Sequence, residues 1–105
     1  MGLAERLLSM SGKGFRRAFA GSPLLRAGRK RLLRNVCVAL GNWGSEEALP
    51  LLVRALEDPQ LLVQGHAGWA LGRVRSPAAL DALSSRLADE SDPFVSDEIG
   101  LALGE

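Results

Sequence analysis

Val38-Ala39-Leu40-Gly41, Trp69-Ala70-Leu71-Gly72 and Leu101-Ala102-Leu103-Gly104 are three versions of one phrase. Ala39 and Ala70 stand 31 positions apart, Ala70 and Ala102 stand 32 apart. Recurrence at a fixed period of this size marks a solenoid, in which each unit buries its apolar face only by stacking on its neighbours. Solenoids mostly bind large partners along an extended surface. The repeat also lets each position be compared with its equivalents in the same chain.

Working outward from the phrase, the punctuation is that of helices. Ser22-Pro23, Ser76-Pro77 and Asp92-Pro93 each place a capping side chain before a proline suited to a first helical turn. A helix is predicted from Leu24 to Leu40, weakened by about 1 kcal/mol at Gly28. Gly41 to Gly44 reads as a turn, and Ser45 caps a helix to Leu56 that Pro50 bends near its start. Asp58-Pro59 turns the chain into Leu61–Val74, and the last helix runs from Pro93 to Leu103. Before them, Leu3 to Met10 is a short helix, Ser11 to Gly14 a breaker run, and Phe15 to Ala20 one or two turns.

Ala48, Leu49, Leu52 and Leu56 match Ala79, Leu80, Leu83 and Leu87, and Leu32, Val63 and Val95 share a column. Each unit is therefore two antiparallel helices with two short turns. The expected fold is an all-α superhelix of about two and a half short HEAT-like repeats. A lead-in occupies residues 1–23 and repeats occupy 24–105, in units of about 24–56, 61–87 and 93–105.

The composition agrees. Of 105 residues, 47% are hydrophobic and 5% aromatic, which suits packed helices, and the length suits one domain. No apolar run approaches the roughly 18 residues of a membrane span. Met1 begins no secretory signal, and Arg6 stands where a myristoylation motif needs Ser or Thr. A single cysteine excludes an internal disulfide framework, so the cytoplasm is the expected compartment.

A net charge of +1 hides a strong asymmetry. Residues 1–34 carry +8 and residues 35–105 carry −7. Either the first third faces a polyanion, or the two parts attract each other or a second copy. On the predicted Leu24–Leu40 helix, Arg26, Arg29, Lys30 and Arg34 step by three, one and four, which sets at least three along one face. Arg16 and Arg17 precede them. Like charges at this density repel, so an unpaired cluster fits a place beside phosphates.

Other conspicuous residues have structural readings. Cys37 aligns with Gly68 and Gly100 in a small-residue column and is expected to be buried and inert. His66 shares a polar column with Asn35 and Glu98; it either hydrogen-bonds along a ridge or contacts RNA. Trp69 falls in an apolar column and reads as core, and Trp43 as packing over a helix end or as a stacking face. The glycines of Ala-Leu-Gly read as left-handed helix ends. No residues are expected to be catalytic or to bind a metal, and no cofactor is expected.

The chain lacks the Thr-Pro-Leu-His of ankyrin repeats and has no tyrosine; over residues 31–105 it resembles HEAT-like repeats of the phycobilin-lyase type. A second resemblance is sharper. Phe15-Arg16-Arg17-Ala18-Phe19-Ala20-Gly21-Ser22-Pro23-Leu24-Leu25-Arg26, then Leu33-Arg34-Asn35-Val36-Cys37-Val38-Ala39-Leu40-Gly41-Asn42, resembles the C-terminal region of epoxyqueuosine reductases. Gly65-His66-Ala67-Gly68-Trp69-Ala70-Leu71-Gly72 is similar to their second repeat. Those enzymes complete queuosine on tRNA with cobalamin and two four-iron clusters. A four-iron cluster needs about four thiolates, and this chain has Cys37 alone.

The resemblance therefore implies the accessory helical domain without the catalytic and cobalamin-binding portions. It is expected to be a non-catalytic domain related to their tRNA-docking end. Arg16, Arg17, Arg26, Arg29, Lys30, Arg34, Asn35 and His66 are its candidate RNA contacts. The alternative is a protein-interaction scaffold of the phycobilin-lyase repeat type. The last helix also spreads Phe94, Val95, Ile99, Leu101 and Leu103 over more than one stripe, despite the polar Ser96, Asp97, Glu98 and Glu105. A partly exposed apolar strip and self-association through this edge are expected.

Overall fold

The computed structural model describes residues 2–104. Among the described residues eight helices follow one another: α1 (Gly2–Leu8), α2 (Gly12–Ala18), α3 (Pro23–Ala27), α4 (Arg29–Trp43), α5 (Leu49–Leu56), α6 (Leu61–Val74), α7 (Pro77–Asp89) and α8 (Pro93–Ala102). A 3-10 turn at Glu46–Ala48 leads into α5. Helices α4, α6 and α8 lie side by side as one layer, with α5 and α7 packed behind α6 as a second. Helix α1 rests on α4 and α5. The result is a slab of 43 × 28 × 17 Å.

The capping residues do what their chemistry requires. Ser22 Oγ accepts from Leu24 N at 3.2 Å, Ser76 Oγ from Ala79 N at 3.1 Å, and Asp92 Oδ1 from Phe94 N at 2.9 Å. Each satisfies a backbone donor that the first helical turn leaves unpaired. Proline follows each cap without cost, because the N–H it lacks has no intrahelical partner there.

Four local expectations are corrected. The predicted Leu24–Leu40 helix is two helices, because Gly28 sits at φ +86°, a conformation that ends α3 before α4 begins. Helix α4 then runs on to Trp43 and closes at Gly44, φ +71°. The breaker run at Ser11–Gly14 opens α2 instead of interrupting it, since Ser11 Oγ accepts from Gly14 N at 3.0 Å. Ser45 does act as a cap, but on the 3-10 turn, with Pro50 falling in the first turn of α5.

The Ala-Leu-Gly phrase has a different physical meaning from the left-handed helix end expected of it. Gly41 and Gly72 lie inside α4 and α6, and only Gly104, φ +91°, fits the expectation. A Cβ at Gly41 would stand 3.1 Å from both Cα and Cβ of Ala70. At Gly72 it would stand 2.7 Å from Ala102 Cβ and 2.9 Å from that residue's Cα and carbonyl oxygen. The glycine of each unit is thus the seat for the alanine of the next. Close backbone approach, repeated at the repeat spacing, joins α4 to α6 and α6 to α8.

Between the layers, Leu52, Leu71, Leu83, Val63, Val95 and Ile99 are wholly buried. Each large aliphatic side chain so buried contributes about 1.5–3 kcal/mol. Cys37 belongs to this core, as expected. Burial, and next the nearby Asp58 carboxylate, pushes its thiol up to about 12, so the nucleophilic thiolate is all but absent at neutral pH.

The two tryptophans are less buried than the core aliphatic residues. Trp43 is 55% exposed, which excludes packing over a helix end and leaves the exposed face of its two readings. Trp69 is half-buried, with its ring edge against Gly41 and the Arg73 guanidinium 5.7 Å from its centroid. Of the apolar strip expected on α8, Phe94 and Leu101 are exposed, Leu101 at 68%, whereas Val95 and Ile99 are wholly buried and Leu103 is half-buried. Glu105 lies outside the described residues.

Candidate nucleic-acid interface

Arg29 is the candidate that the structure removes from the surface. It is buried, and its guanidinium forms a forked pair with Asp58: Nη1 donates to Oδ2 at 3.1 Å, and Nη2 donates to Oδ1. Its Nε donates to Leu7 O at 2.8 Å. Asp58 Oδ2 also accepts from Gln60 N at 3.0 Å. The pair therefore fastens the C-terminal end of α1, the start of α4 and the α5–α6 turn at one point. A side chain spent on all three cannot reach a phosphate. This corrects its assignment as an RNA contact, and the alternative reading of the charge split, attraction between the two parts, holds at this one residue.

Two groups of candidates come together. Arg16 of α2 and Lys30 of α4 line a cleft of about 370 Å³ that also takes in Ser11, Gly12 and Gln60. Both side chains are exposed. One turn further along α4, Arg34 Nε and Nη2 donate to Asn35 Oδ1 at 3.2 and 3.1 Å. The neutral amide orients that guanidinium without cancelling its charge.

Arg26 stands apart on α3, on the far side of the Gly28 break, and so does not share a helix face with Lys30 and Arg34. Arg17 is exposed on α2. His66 is half-buried on α6, where Nδ1 lies 2.8 Å from Leu62 O.

Among the described residues, ion pairs form at Arg29–Asp58 and Arg86–Glu90 and at none of the exposed basic residues of the first third. Helix α4 opens with Arg29, Lys30 and Arg31 and has no acidic residue in its first turn. Cations there oppose the positive end of the helix dipole, so the arrangement costs stability unless an anion offsets it. Arg29 has Asp58; Lys30 and Arg31 face solvent.

Arg73 and the cleft beside it were not anticipated. Val38, Gly65, His66, Trp69, Phe94 and Glu98 surround a cavity of about 330 Å³ across α4, α6 and α8. Reading single residues as core or ridge hid it, because it arises where three helices meet. No cluster of three or more His, Cys, Asp or Glu with metal-binding geometry occurs among the described residues. No helix among them is long and apolar enough to cross a membrane.

Stacked helix pairs in two layers define a helical-repeat domain. The chain belongs to the HEAT-repeat family: the family model for HEAT repeats matches residues 22–104. It is 32% identical to the epoxyqueuosine reductase of Bacillus subtilis over 91 residues, 86% of this chain and 24% of that protein. An uncharacterized protein of Geobacillus stearothermophilus is 33% identical over 94 residues, covering 89% of this chain and 44% of that one. The crystal structure of epoxyqueuosine reductase with an epoxyqueuosine-modified tRNA-Tyr stem loop superposes with a TM-score of 0.80 at 30% identity, covering 95% of this chain and 27% of that one. The chain spans less than half the length of each of these relatives.

Proposed function

We propose that this chain is a non-catalytic RNA-docking domain that grips the phosphate backbone of a tRNA through Arg16, Lys30 and Arg34. Arg17 and Arg26 extend the positive surface, and Asn35 and His66 lie along the ridge. The observation that carries the reading is the set of exposed basic side chains, concentrated in residues 1–34 and without ion pairs among the described residues. The likeness to a structure that holds a tRNA stem loop supports it. Phosphate contacts position the partner and carry no sequence information.

Three phosphate contacts imply that affinity falls about fortyfold between roughly 50 and 200 mM salt. Titrating a tRNA into the protein at the two salt concentrations checks this. Arg34→Gln is expected to lower the slope of log affinity against log salt by about one. Affinity that stays flat across salt sinks the proposal.

A second reading, a protein-interaction scaffold, has its own observation in the exposed Leu101 beside Leu87 and Gly100 at the end of the stack. Self-association through this edge is expected to give dimers at micromolar concentration in sedimentation experiments and monomers after Leu101→Glu. A wild-type protein that sediments as a monomer throughout removes this reading.

A further inference from the structure

The cavity at Val38, Gly65, His66, Trp69, Phe94 and Glu98 exists because the second and third units depart from the repeat. Gly65 shares its column with Arg34 and Asp97, and Phe94 shares its column with Arg31 and Leu62. A Cβ at Gly65 would lie 2.8 and 2.9 Å from two atoms of the Phe94 ring. Only a residue without a side chain lets that ring lie against the backbone of α6. The cleft thereby gains one aromatic wall from Phe94 and a second from Trp69. Its size is at the lower end of small-ligand sites, about 300–1,000 Å³.

Its polar groups are of one kind. His66 Nδ1 faces a carbonyl oxygen at 2.8 Å, so that nitrogen donates, and in the neutral ring Nε2 holds a lone pair. Glu98 makes no hydrogen bond or ion pair among the described residues, and it lines the same cleft. Flat apolar walls with two acceptors call for a planar ligand that brings donors. The charge around the cleft decides between the two macromolecules that supply such a ligand. Arg34 lies one turn before Val38 on α4, and Arg73 lies one turn after Trp69 with its guanidinium over the indole. These flanking cations suit the phosphates of a strand that places its base in the cleft, where Glu98 accepts from the base edge.

We infer that this cleft holds one unstacked RNA base bearing an exocyclic amino group, guanine above the others. The inference rests on the RNA-docking reading and adds a base contact to it. Guanine offers adjacent N1–H and N2 amino donors to the Glu98 carboxylate, whereas uracil offers a single ring N–H. Single-stranded bases are held in this way, by stacking on aromatic side chains and by hydrogen bonds to their exposed edges.

The test uses the full chain carrying Trp43→Phe, which leaves Trp69 as its sole tryptophan. Two five-nucleotide RNAs are compared: five uridines, and the same with guanosine at the centre. The guanosine oligonucleotide is expected to bind about tenfold more tightly and to quench Trp69. Glu98→Gln is expected to bring the two oligonucleotides to nearly equal affinity without weakening the all-uridine one. Phe94→Ala, at an exposed position that threatens no core, is expected to lower guanosine binding by about tenfold. Equal affinities in the parent protein, with salt dependence intact, overturn the base site and leave the backbone reading standing. Loss of salt dependence in both overturns the backbone reading instead. An arginine-containing peptide that quenches Trp69 where neither RNA does assigns the cleft to a protein partner and overturns the inference.

Discussion

Asp58→Ala is expected to lower the unfolding free energy by about 3–5 kcal/mol, the cost of leaving a buried guanidinium without its partner. Arg29 and Asp58 are both buried, with side-chain exposures of 8% and 1%. Truncation removes two acceptors from the Arg29 fork and one from Gln60 N. For a domain of this size each kcal/mol shifts the melting temperature by roughly 4–8 °C, so thermal unfolding shows the change directly. Arg29→Met in the Asp58→Ala background is expected to restore part of the loss, because the stranded charge is gone. Leu7 O still accepts from Met10 N at 3.3 Å in that double variant, so no carbonyl is orphaned. A single-variant loss below about 1 kcal/mol would falsify the view that the pair is a buried fastening and place it with surface ion pairs.

That pair also shows where the sequence stops being informative. The repeat phrase, the Ser-Pro and Asp-Pro openings and the leucine columns predict an all-α solenoid, because each of those signals is local and follows helical geometry. Arg29 looks identical to Lys30 and Arg34 in the sequence, and its one distinction, a carboxylate 29 positions away, exists only after α4 and the α5–α6 turn have met. Gly28 was legible as a weak point and not as a break, since propensity measures a cost within a helix and says nothing of a φ of +86°. The cleft at Gly65 was legible in principle. Aligning the units displays a glycine where the others carry Arg34 and Asp97, and a phenylalanine where they carry Arg31 and Leu62. What the alignment lacks is the distance that turns two departures into one site.

Gly72→Val is expected to destabilise the protein by about 3 kcal/mol, at the upper end of the cost of overpacking. Even the first added carbon meets Ala102 at 2.7 Å (Cβ) and its backbone at 2.9 Å, and backbone does not yield as the end of a flexible side chain does. Two further methyls force α8 off α6. The displacement must reach Val95 and Ile99, which α8 buries in the core. Gly100→Ala is the control, since a Cβ there meets nothing within 4 Å. In the last turn of α8 that change is expected to be neutral or to stabilise by up to about 1 kcal/mol, the helix propensity of alanine over glycine. Chemical denaturation of the two variants beside the parent protein checks both. Equal stabilities for Gly72→Val and Gly100→Ala would show that α8 floats on α6 instead of being seated on it. The glycine of the repeated phrase would then mark the period of the solenoid without setting its spacing.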